Sequence, residues 1–129
     1  MKKLMNEHEV NQYSPLTLAF LGDSVYEKLV REHIVLNANM PASKIHELKI
    51  KKVCAAYQSD ALEKIMGLLD EKEITVVKRG RNATGNTIPK SCNAVEYRRA
   101  TGLECLFGYL DLLGRNERLE QLFDIIIDL

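Results

Sequence analysis

Apolar residues recur along this chain at the three-and-four spacing of helices that bury one face, and nowhere in the alternation of a half-exposed strand. From about Ser14 to Leu36 the spacing predicts a long first helix. Ser14 is a natural N-cap, and Pro15 suits the first helical position, where its missing N–H costs nothing. At about 100° per residue Leu16, Ala19, Phe20, Val30 and Ile34 share one stripe. Asn37 to Pro41 reads as a loop. A second helix starts near Ser43, with Ile45, Leu48 and Val53 apolar and Lys44, Lys49, Lys51 and Lys52 polar. A third covers about Ala55 to Leu69 on Ala61, Leu62, Ile65, Met66 and Leu69. A fourth starts near Asp70, where Asp-Glu-Lys-Glu gives the acidic first turn that a helix dipole favours. It runs through Ile74, Val76 and Val77 into Lys78-Arg79-Gly80-Arg81-Asn82. Residues 82–93 form the one clear break, rich in Gly, Asn and Thr, and so a loop. Asn93 can cap a helix from about Ala94 to Leu113 that is apolar almost all round, as befits the middle of a core. Gly114 ends it, and a last helix covers about Asn116 to Asp128.

These patterns give an all-α fold of six or seven helices in one domain, residues 14–129, preceded by a polar arm, residues 1–13, expected to be flexible and loosely held. A chain of 129 residues, 46% of them hydrophobic, suits one domain with a real core. No apolar run approaches the ~20 residues of a membrane span. The first residues turn charged at once and carry no signal-peptide core, so the cytoplasm is expected. Cys54, Cys92 and Cys105 are odd in number and far apart, which fits reduced thiols and excludes a CxxC-type zinc site.

Charge changes the picture only through its distribution. Lys and Arg number 18 and so do Asp and Glu, so a wholly basic, non-specific nucleic-acid binder is excluded. Between Lys78 and Arg99, however, the basic residues Lys78, Arg79, Arg81, Lys90, Arg98 and Arg99 face one acid, Glu96.

Two helices expected to be buried each carry a carboxylate in mid-length. Asp23 and Glu27 lie one turn apart inside the apolar stripe of the first, and Glu104 lies between Thr101 and Gly108 in the central one. A carboxylate on an apolar face is costly without a cationic partner. For Asp23 a salt bridge to another helix competes with a metal ligand; for Glu104 the competing partner is an arginine such as Arg79 or Arg98. Two buried acids facing one another would repel, and a divalent cation between them would remove the penalty. Oxygen ligands suit Mg²⁺, which takes one or two protein carboxylates and keeps waters.

The stretch Phe20-Leu21-Gly22-Asp23-Ser24-Val25 resembles the signature helix of the ribonuclease III family, and Thr101-Gly102-Leu103-Glu104-Cys105-Leu106-Phe107-Gly108 resembles its second acidic motif. Lys78-Arg79-Gly80-Arg81-Asn82-Ala83, with Thr87-Ile88-Pro89-Lys90, resembles the short branch of that family called Mini-ribonuclease III, in which the catalytic domain stands without a double-stranded-RNA-binding domain. The resemblance spans roughly Ser14 to Leu122. It implies an all-α endonuclease that acts as a homodimer, cuts double-stranded RNA with Mg²⁺ (Mn²⁺ substituting), leaves 5′-phosphate and 3′-hydroxyl ends, and trims precursor large-subunit (23S) ribosomal RNA. Asp23 would be the catalytic Asp and Glu104 the metal-binding Glu, with Glu27 as a candidate helper. The longer enzymes carry two further acids where this chain has Ala19 and Thr101; the short branch lacks them too, which leaves the metal count open.

Duplex RNA is read by shape, phosphates and 2′-hydroxyls. Lys78, Arg79, Arg81, Asn82, Lys90 and Arg98 suit that task, with Asn86 and Thr87 able to reach hydroxyls. No histidine or cysteine is placed as a general base, so water activation would fall to the cation. A large-subunit ribosomal protein that presents the RNA is a further candidate partner. The rival reading is a non-catalytic helical RNA-binding or ribosome-assembly module on the same fold.

Overall fold

The computed structural model describes residues 3–83, 88–90 and 93–127. Seven α-helices follow in order: α1 (Glu7–Asn11), α2 (Pro15–Asn37), α3 (Ala42–Val53), α4 (Ala55–Ile65), α5 (Glu71–Asn82), α6 (Ala94–Leu112) and α7 (Asn116–Ile126), with a short 3-10 turn (Met66–Leu68) after α4. There is no strand among the described residues. The caps read from sequence are present: Ser14 accepts from the Thr17 amide, Asn93 from those of Val95 and Glu96, and Gly114 closes α6 at φ 71°. Asp70 and Glu73 form a reciprocal capping box at the start of α5.

The central helix is α6. From Ala100 to Leu110 every residue except Glu104 is buried. A helix that is apolar all round has no face to offer water, so α2, α4 and α5 wrap it and α7 packs alongside. Tyr26 ties the bundle across several layers. Its ring meets Phe107 and Phe123 edge-on, and its hydroxyl donates to the Lys52 carbonyl at 2.7 Å.

The buried face of α2 differs from the expected stripe. It runs through Leu18, Gly22, Tyr26, Val30 and Ile34, with Ala19 at its edge. Leu16 and Phe20 face outward, Phe20 with 84% of its surface exposed. Two residues turn a helix by about 200°, so a face through Leu18 and Gly22 puts Leu16 and Phe20 on the opposite side. The bulky Phe20 outweighs the small Gly22 in an apolar pattern, which is why the stripe points to the flank that in fact faces outward.

The loosely held arm expected over 1–13 does not describe residues 3–13. Asn6 and Glu9 form a capping box for α1, whose Val10 is fully buried. The Met5 amide donates to the Leu112 carbonyl at 3.0 Å, and the Glu7 carboxylate takes Lys72 at 2.6 Å and also Arg115. The segment is polar in composition, but one buried valine and a two-cation grip on one acid hold it down.

Candidate active site

Helices α2 and α6 cross with backbone against backbone. A Cβ on Gly22 would lie 1.6 Å from the Glu104 carbonyl oxygen, and one on Gly108 would lie 2.0 Å from that of Leu18. Only glycine fits at either place. The crossing brings Asp23, the residue after Gly22, near enough to Glu104 for each to act on the other's charge. Glu104 is half-buried, while Asp23 is exposed and not within the buried face as the stripe suggested. One residue past Gly22 turns the chain about 100° from the crossing, which carries Asp23 to its rim.

Burial, followed by the bond to Asp23 and the nearness of its charge, pushes the Glu104 carboxyl up to about 8, against a smaller opposing pull from a Gln58 hydrogen bond. Near neutrality the Glu104 carboxyl therefore favours its protonated form. Of the two arginines expected as alternative partners, Arg79 instead donates to the Tyr13 carbonyl at 3.1 Å.

Two carboxylates that cannot both ionise comfortably, and that meet at a rim open to water, fit a hard divalent cation that keeps most of its own waters. No cluster of three or more His, Cys, Asp or Glu side chains able to hold a metal occurs among the described residues. Ala19 is buried packing, and the Thr101 hydroxyl donates to the Tyr97 carbonyl of its own helix at 3.0 Å. Glu27 lines the same depression as Asp23, with its carboxylate already engaged by two cations. Arg31 holds its carboxylate at 2.8 Å and Lys49 lies 3.8 Å away.

Of the residues expected to contact RNA, Lys78, Asn82, Lys90 and Arg98 are exposed and Arg79 and Arg81 are half-buried. Lys78 to Asn82 form the last turn of α5, the helix end whose dipole favours cations. Asn86 and Thr87 lie outside the described residues, as does Cys92. Lys52 stands over the Tyr57 ring at 4.9 Å, and Arg99 pairs with Glu63 at 3.7 Å. Gln58 is buried on α4 in helical register with Ala61, Leu62 and Ile65, an amide that breaks an otherwise apolar face.

Residues 16–115 match the Ribonuclease III domain family. The chain is 41% identical over 125 residues to the Mini-ribonuclease 3 of Thermoanaerobacter sp. (strain X514), covering 97% of this chain and 88% of that one. It is 46% identical over 113 residues to the Mini-ribonuclease 3 of Desulfitobacterium hafniense (strain Y51), covering 88% and 71%. The crystal structure of a Fusobacterium nucleatum protein, 35% identical, superposes with a TM-score of 0.83 over 92% of this chain and 94% of that one.

Proposed function

The chain belongs to the ribonuclease III family, in its Mini-ribonuclease 3 group, and is an endoribonuclease; from that premise we propose that it cuts double-stranded RNA with Mg²⁺ (or Mn²⁺) held by Asp23 and Glu104, and matures the ends of precursor 23S ribosomal RNA as a cytoplasmic homodimer. The observation that carries this reading is the meeting of Asp23 and Glu104 at the glycine crossing. Bound there, the cation would polarise the scissile phosphate and make a water acidic enough to serve as nucleophile near neutral pH. The protein's share is placement. The crossing fixes the spacing of the two carboxylates, and Asp23 at the rim keeps the pair open to a duplex that could not enter a closed pocket. Cleavage leaves the phosphate on the 5′ end and the hydroxyl on the 3′ end. Glu27, held by Arg31, adds no ligand in this scheme.

Lys78, Arg81, Asn82, Lys90 and Arg98 take the phosphates and hydroxyls of the duplex, a sequence-independent mode of contact. Arg79 keeps guanidinium N–H groups beyond the one given to Tyr13, and joins them. The outward face of α2 supports the homodimer. Leu16, Phe20 and Val35 are exposed on it, and Phe20 lines one depression together with Asp23, Ser24 and Glu27. Pairing two copies over that face would set two sites on one duplex, one for each strand.

The test is cleavage of end-labelled duplex RNA, including a precursor 23S stem, with Mg²⁺ and with a chelator. Metal-dependent double cuts with 5′-phosphate ends are expected. Cutting that persists in the chelator sinks the metal reading, and indifference to the precursor stem sinks the 23S assignment. A stem cut only when a large-subunit ribosomal protein is bound adds that protein as a partner.

A further inference from the structure

Lys49 puts a charge on the side of α3 that meets α2. No residue of α3 is fully buried, and the helix rests on half-buried Ile45, Leu48, Lys49, Lys52 and Val53. The Lys49 side chain is 16% exposed, and its charged partner is Glu27 of α2, 3.8 Å away at Oε1. Glu27 is already held by Arg31 one turn further along α2, through Nε at 3.0 Å and Nη2 at 2.8 Å, both on Oε2. A second, longer ion pair to a partly exposed acid adds little to stability, whereas an apolar side chain at Lys49 would enlarge the scant apolar contact of α3. Folding alone does not account for the lysine. Arg31, His46 and Lys49 line one concavity between the two helices, with Ala42 and Ile45 between them. Its volume, about 230 Å³, falls below the ~300 Å³ at which pockets for organic ligands begin. The lining holds two permanent cations and no acid. With Glu27 counted beside it, one positive charge remains in excess, and His46 adds a ring N–H.

We propose that Arg31, His46 and Lys49 form a subsite for one backbone phosphate of the RNA, two helical turns from Asp23. This rests on the reading of the chain as a nuclease that cuts duplex RNA at Asp23 and Glu104. Glu27 lines the depression that holds Asp23 and reaches Arg31 and Lys49 with its carboxylate, so the two concavities adjoin across that one side chain. Arg31 follows Asp23 by eight residues of α2, about 12 Å along the axis. A strand with its scissile phosphate at Asp23 therefore passes the subsite within a few nucleotides. A phosphodiester carries the single negative charge that the cleft lacks. Arg31 keeps N–H groups beyond those given to Glu27 and can fork onto the two free phosphate oxygens, while Lys49 serves as a point charge. Phosphate contacts carry no sequence information but fix register: a strand held at this second point cannot pivot about the reacting phosphate.

The experiment measures duplex affinity by fluorescence anisotropy, in chelator and over a range of salt, for wild type, Lys49→Met, Arg31→Gln and the double variant. Lys49→Arg keeps the charge, and Lys28→Gln removes a cation elsewhere on α2, one paired with Glu32. The Arg31 side chain is 58% exposed, so Arg31→Gln keeps the test open if Lys49→Met fails to fold. The expected result is a slope of log affinity against log salt lowered by about one for each cation removed, with Lys49→Arg and Lys28→Gln at the wild-type slope. The measurement is repeated on duplexes in which one phosphate near the cut is replaced by a neutral methylphosphonate. At one position the replacement should weaken binding to wild type and leave the double variant unaffected, because that contact is already gone. Unchanged slopes, or neutral linkages that weaken wild type and double variant alike at every position, overturn the proposal. Inorganic phosphate, compared with chloride at equal ionic strength, should displace the duplex no better; displacement by phosphate that the double variant resists makes this a site for the free ion and overturns the RNA assignment. A wild type that neither binds nor cuts duplex refutes the nuclease reading and this proposal with it, whereas an active wild type with variants of unchanged slope refutes the subsite alone.

Discussion

Glu104→Gln should make the metal-free protein more stable at pH 8 while costing it its activity. In the fold the carboxyl titrates near 8, and in the unfolded chain near its ordinary 4.5. Between those values the unfolded state gives up its proton first, so stability is full below about pH 4.5, falls as pH rises, and levels off above about pH 8. Each tenfold change in proton affinity is worth ~1.4 kcal/mol, and partial exposure discounts the whole slope to about 1–3 kcal/mol. Denaturant unfolding in chelator from pH 4 to 9 should show that slope in wild type and lose it in Glu104→Gln. Cleavage by Asp23→Asn and Glu104→Gln should fall by more than the ~10–100-fold typical of residues one step removed from a metal. Both acids could be found in the sequence because each sits amid apolar neighbours. Their unequal burial could not, since it depends on how one helix is rotated against another. Glu27 looked like Asp23 in the pattern, yet Arg31, four residues on, already announced an ion pair along the helix.

At the scale of the helices, the crossing of α2 and α6 makes the sharpest demand. Gly22→Ala and Gly108→Ala each force a methyl into backbone, and should destabilise by at least the ~1–3 kcal/mol of ordinary overpacking while parting the two carboxylates. Urea unfolding and duplex cleavage measured together should show activity lost beyond what stability explains. Gly67→Ala is the control: a Cβ there meets nothing within 4 Å, so both readings should stay near wild type. A second demand falls on α5 and α7. Glu73 is 1% exposed and is held by Arg118 at 2.7 Å and 2.9 Å, so Arg118→Met strands a buried acid and should cost about 3–5 kcal/mol by the same urea measurement. Helix boundaries were legible because caps are local: Ser14-Pro15, Asn93 and Gly114 announce themselves. The crossing was not, because a glycine adds nothing to an apolar stripe, although its lack of a side chain is what allows the contact.

For the molecule as a whole, neutrality hides a dipolar distribution of charge, and RNA affinity should be steeply salt-dependent. Replacing Lys78 or Lys90 by glutamine should lower the slope of log affinity against log salt by about one contact each, with little effect on sequence preference. Phe20→Glu, on the outward face of α2, should shift the mass seen by light scattering from twice 14.7 kDa to 14.7 kDa. The fold class was readable from periodicity alone, but the outer surface of α2 was not, because an apolar stripe does not say which of its residues face the core and which face outward. The N-terminal segment extends this lesson. Its Met5 amide is tied to a carbonyl at the end of α6, and Leu4 lies against Gly114 in the turn before α7. In deuterium-exchange mass spectrometry the beginning of the chain should therefore serve as a gauge of its far end: the Met5 amide should exchange slowly only while the α6–α7 turn is seated, and a substitution at Gly114 should be read out more than a hundred residues away.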